Sequence, residues 1–107
     1  MTSVKFFIGD NRLNGFEIKG HSGYSEEGSD IVCAAISSAA EMAVNTVTDV
    51  MGEKADIKVD EGFLRFTLSD ASESAYQVLE GLKLHLVEIS KQYPQNIRII
   101  YGGAKNA

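Results

Sequence analysis

Val4, Phe6 and Ile8 alternate with Lys5 and Phe7, a two-residue period that predicts a strand. The GDNRLNG run after it is turn chemistry, and Phe16 to Lys19 returns as a second strand. Asn14-Gly15 is a hairpin signal, so the two strands are expected to be antiparallel neighbours. From Ser29 to about Met51 the period lengthens to three and four. Val32, Ile36, Ala39, Ala40, Ala43, Val47 and Val50 then share one stripe, which should face the sheet. Ser29 fits an N-cap and Gly52 a C-terminal stop.

Alternation resumes at Ala55, Ile57 and Val59 and again, across Glu61-Gly62, at Leu64, Phe66 and Leu68, which predicts a second hairpin. Asp70 and Glu73 have the spacing of a capping box, opening a helix that should run to about Gln92, short of Pro94. Its core face carries Ala75, Val78, Leu79, Leu82, Leu86 and Ile89; Tyr76, Leu84 and Val87 fall on the far side. That far patch is expected to pack against a second copy of the chain, although scattered exposed apolar residues are also ordinary. With a last strand from Ile97 to Tyr101, the order is ββαββαβ. The fold class is α+β: two layers, a mostly antiparallel sheet with two helices on one face. Residues 1–107 are expected to form a single domain, with 102–107 a flexible tail.

Composition narrows the function classes. A chain of 107 residues is long enough for one core without staples. A single cysteine cannot form an internal disulfide, which suits a reducing, cytoplasmic setting. The opening MTSVKFFIGD lacks the charged start and long apolar core of a signal peptide, and no apolar run approaches the length of a membrane span, so neither export nor a membrane partner is expected. A formal charge of -5 without clustered Lys or Arg argues against direct nucleic-acid binding.

The remaining signal lies in GHSGYSEEGSDIVCAAISS, from Gly20 to Ser38. A lone cysteine in a helix is most often a small buried hydrophobe. Here, however, Cys33 falls in the opening turns, where unpaired N–H groups and the helix dipole favour a thiolate. Glycines bring His21 to the same helix end, within plausible reach of the sulfur as general base. Asp30, Cys33 and Ser37, spaced by three and four, share one edge beside the core stripe. In this reading the thiolate attacks a carbonyl carbon, His21 protonates the leaving amine, and backbone N–H groups hold the oxyanion. Asp30 is better read as a cap than as an orienter of His21, and Ser37 as a packing residue.

The loop Ser22, Gly23, Tyr24, Ser25, Glu26, Glu27 and Gly28 is expected to be mobile and to cover the site until a peptide enters, against the plainer reading of a surface loop. Glu17, Glu26, Glu27 and Asp30 form a solvated rim that would also attract a basic segment. His85 carries no role. One Cys and two separated His residues do not make a metal site, and no phosphate loop is present, so no metal or cofactor is expected. Two other classes stay open from these residues: a non-catalytic interaction module with Cys33 buried, and a redox sensor.

Gly20-His21, the glycine-bearing loop, and Asp30-Ile31-Val32-Cys33-Ala34-Ala35 with Ser37 resemble the bacterial ribosomal-processing cysteine protease family, often called Prp. The resemblance extends to length and element order, and Ser22 stands where many members carry Ala. It implies that Cys33 and His21 are the catalytic pair of a thiol endopeptidase. The implied substrate is the short N-terminal extension of a large-subunit ribosomal protein precursor, one whose mature end lies near the peptidyl-transferase centre. It also implies an apolar groove beside Cys33 and a homodimer.

Overall fold

In the computed structural model Val4, Phe6, Phe16, Ile18 and Phe66 turn to one side of a five-stranded sheet and are buried there. The structure describes residues 1–20 and 29–103; His21, the loop 22–28 and residues 104–107 lie outside the described residues. The elements are β1 (Thr2–Gly9), β2 (Arg12–Lys19), α1 (Ser29–Asn45), a π-helical turn (Thr46–Val50), β3 (Asp56–Asp60), β4 (Phe63–Thr67), α2 (Glu73–Gln92) and β5 (Ile97–Gly103). The strand order is β3-β4-β2-β1-β5, antiparallel except for β1 with β5. This is the expected ββαββαβ architecture. Val32, Ile36, Ala40 and Ala43 of α1 share one apolar core with Ala75, Leu79, Leu82 and Leu86 of α2 and with the strand residues above.

The first hairpin turns earlier than its strongest dipeptide signal. Asp10 and Asn11 both have positive φ, 54° and 61°, as a tight primed turn requires, and Asn14-Gly15 lies inside β2. Gly15 is needed there for a different reason: a Cβ on it would sit 2.5 Å from the Phe66 carbonyl oxygen and 2.7 Å from Thr67 Cγ2.

The helix after the first hairpin is not α-helical to its end. Met51 N–H donates to the Thr46 carbonyl five residues back (2.9 Å), and the hydroxyls of Thr46 and Thr48 donate to the carbonyls of Met42 and Val44. The wider turn shifts the stripe by one position. Val47 is buried as expected, but Val50 is 79% exposed and Met51 packs against the core in its place. Gly52, at φ 74°, stops the helix.

The second helix is capped by Ser72, whose side chain accepts from Ala75 N–H at 3.2 Å, and not by Asp70. Ser72 is in extended geometry directly before the first turn, whereas Asp70 sits at φ 55° within the preceding bend. Tyr76 is also displaced from its expected place. It is buried, and Arg12 lies over its ring at 4.0 Å while pairing with Glu73. The far patch of α2 therefore shrinks to exposed Leu84 and half-buried Val87. Finally, β5 continues through Gly102 and Gly103, which pair with Phe7 and Ile8 instead of belonging to a tail. The end of the Lys5 side chain occupies the space that a Cβ on Gly102 would take.

The stretch Ile31–Val50 is, by length and composition alone, apolar enough to cross a bilayer, although Glu41 and Asp49 interrupt it. Its sheet-facing side is accounted for by the core. Its outer side leaves Ile31 and Met42 exposed as well as Val50.

Candidate active site

α1 lies toward the β4 side of the sheet and α2 toward the β5 side, so the helices do not reach β3 at the edge. Ile57 and Val59 point to the helical face of β3 and remain 44% and 70% exposed. The uncovered strip is a groove of about 350 Å³. One wall is the edge of α1, formed by Cys33, Ser37, Glu41, Val44 and Asn45; the opposite wall is Ile57, Val59 and Leu64, with Ile18 below. Asp60, Gly62, Phe63 and Gly20 close the end nearest Cys33.

Cys33 is thus half-buried and lines a groove. A sealed thiol, the basis of the interaction-module reading, does not fit this placement. The three-and-four spacing puts Ser37 one turn further along the same edge, exposed and facing the same space. Asp30 belongs to the first turn of α1, but its side chain lies outside the described residues, as do His21 and the loop from Ser22 to Gly28. Glu17 is not on the rim of the groove. It faces the other side of the sheet, where Arg65 Nε (3.2 Å) and Lys19 (3.7 Å) hold it.

The residue preceding His21 is firmly placed. Gly20 N–H donates to the Gly62 carbonyl at 3.0 Å, which ties the end of β2 to the β3–β4 turn. Gly62 adopts φ 68°, and a Cβ on it would come within 2.8 Å of the Gly20 oxygen, so glycine is required by conformation and by contact. At Gly20 itself a Cβ would lie 3.3 Å from Thr2 Oγ1 and 3.5 Å from Cys33 Sγ. The backbone at position 20 therefore touches the sulfur's surroundings.

The sequence reading did not find Gly20 and Gly62 as a pinned pair, nor Glu41, Val44, Ile57, Val59 and Leu64 as walls. The only available signal was the apolar alternation of the second hairpin. Among the described residues no cluster of His, Cys, Asp and Glu could hold a metal ion.

The chain is similar to known proteins over nearly its whole length. The family described as Cysteine protease Prp matches residues 1–98. The ribosomal processing cysteine protease Prp of Bacillus subtilis is 31% identical over 97 residues, covering 84% of this chain and 87% of the relative. The crystal structure of an essential ribosomal processing protease Prp from S. aureus in complex with a substrate peptide superposes with a TM-score of 0.87. It is 28% identical, covering 94% of this chain and 99% of that one. The same S. aureus protease with a covalently linked product peptide gives a TM-score of 0.83, at the same identity and coverage.

Proposed function

The chain belongs to the Prp family of cysteine proteases, and from that premise we propose that it is an endopeptidase in which Cys33 is the nucleophile and His21 the general base and acid. The observation that carries the reading is a half-buried thiol lining a peptide-sized apolar groove, beside the fixed backbone of Gly20. His21 takes the thiol proton as sulfur attacks the scissile carbonyl carbon. The S–C bond forms, the C–N bond breaks, and the proton passes to the leaving amine. Water then hydrolyses the thioester, regenerating the thiol. Free N–H groups in the first turn of α1 stabilise the oxyanion.

The substrate is the N-terminal extension of a large-subunit ribosomal protein precursor, processed in the cytoplasm. Support comes from the relatives: the B. subtilis protein is named for ribosomal processing, and the S. aureus protease has been crystallised with a substrate peptide. The test is incubation with the host's extended precursors, using wild type, Cys33→Ala and His21→Ala. Wild type shortens one precursor at a single bond and both variants leave it intact. An intact precursor with wild type, or equal cleavage by the variants, refutes the assignment.

We also propose that the protein is a homodimer, and α1 supports this better than α2. On its outer side Ile31, Met42 and Val50 are 68%, 73% and 79% exposed, apolar surface of the kind a second copy would cover. Light scattering at micromolar concentration gives twice the chain mass, and Met42→Glu gives a monomer. A wild-type mass of one chain excludes the dimer.

A further inference from the structure

The groove's lining is mostly apolar but carries one unengaged charge on its helical wall. Glu41 follows Cys33 by eight residues, two turns along the same edge, and is exposed. Among the described residues it makes no ion pair or hydrogen bond. The other carboxylate of the groove, Asp60, lies at the thiol end and already accepts Glu61 N–H at 2.8 Å. No lysine or arginine lines the groove among the described residues, so nothing there neutralises Glu41.

We propose that Glu41 is a specificity-determining residue that selects a lysine or arginine about four residues from the scissile bond. The inference rests on the protease reading for the position of that bond, at Cys33. Eight helical residues advance about 12 Å along the α1 axis at roughly 1.5 Å each. An extended peptide advances roughly 3.3 Å per residue, which places about four residues between the two stations. The intervening wall of Val59, Leu64 and Ile57 takes apolar side chains. The peptide is thus read as an apolar segment with a cation beyond it. A net charge of -5 favours the same partner at longer range.

The test uses fluorescein-labelled peptides spanning the cleavage site of the host's ribosomal precursor, with Lys, Ala or Glu placed at the third, fourth and fifth positions on either side of the bond. Binding to the Cys33→Ala variant is read by anisotropy, and kcat/KM is read with wild type. At one of these positions Lys is preferred over Glu by about three- to fivefold, the range of an exposed ion pair. The preference is lost in Glu41→Gln, reversed in Glu41→Lys, and weakened at high salt. A preference unchanged in Glu41→Lys, or the absence of any Lys preference at all positions, overturns the proposal even if cleavage proceeds. A preference that reverses in binding while wild type cleaves nothing upholds the role of Glu41 in recognition and removes the protease reading.

Discussion

Two glycines with nearly the same backbone geometry separate folding from catalysis in this protein. Gly62 has φ 68° and Gly52 has φ 74°, so alanine at either position meets the left-handed penalty, about 1–2 kcal/mol. A less flexible unfolded chain offsets part of that, leaving on the order of 1 kcal/mol. For a domain of this size that lowers Tm by roughly 4–8 °C. At Gly52 the effect ends there, because nothing lies within 4 Å of the added Cβ. At Gly62 the Cβ meets the Gly20 carbonyl oxygen at 2.8 Å; restoring an ordinary contact of 3.4 Å requires a shift of about 0.6 Å (3.4 − 2.8). Gly20 is hydrogen-bonded to Gly62 and borders Cys33 Sγ, so the shift is delivered to the junction from which His21 departs. A 1 Å error in a catalytic geometry costs about a hundredfold, so roughly half that displacement corresponds to about a tenfold loss of kcat/KM. Thermal melts followed by circular dichroism give the stability arm. Cleavage of the ribosomal precursor peptide well below both midpoints gives the catalytic arm. Gly52→Ala loses stability and keeps kcat/KM; Gly62→Ala loses both. If the two variants match in both measurements, the β3–β4 turn does not position the site and the reasoning is refuted.

In urea unfolding, Ser72→Ala loses about 1 kcal/mol, within the 0.5–2 kcal/mol range of N-caps, whereas Asp70→Asn stays within about 0.5 kcal/mol because asparagine tolerates a positive φ. A Ser72→Ala loss below about 0.3 kcal/mol would mean that the Ser72 side chain does not cap the helix. Val47→Ala costs about 2 kcal/mol for a fully buried side chain, and Val50→Ala less than about 0.5 kcal/mol. Equal losses would mean that the helix continues as an α-helix to Val50.

Most of the fold was legible because its strands and helices carry different periods on a half-buried surface. Val4, Phe6, Phe66, Ile36 and Leu86 fall where alternation or the helical stripe puts them. The misreadings share a cause, which is that two local signals of similar strength competed and tertiary contact chose between them. Asp10-Asn11 and Asn14-Gly15 both suit a tight turn. Phe66 and Thr67 crowd Gly15 so closely that its lack of a side chain is used for strand approach instead. Likewise Val50 continues a 3.6-residue period, but the wider π-helical turn of Thr46–Val50 moves Met51 inward in its place. A pattern assumed to be uniform cannot register such a local change of pitch.

The two walls of the groove differ in legibility for a topological reason. Cys33, Ser37 and Glu41 lie on one helix, where spacing by four residues suffices to align them. The facing wall depends on β3 pairing with β4, and on β4 pairing with β2 instead of with the next strand in the chain. That order carries Ile57 and Val59 past the cover of α1, so residues patterned as an ordinary buried hairpin become one wall of the groove. Their exposure on the helical face is therefore informative. Side chains alternating toward a core that does not reach them leave apolar surface uncovered, and Cys33 sits at one end of that surface.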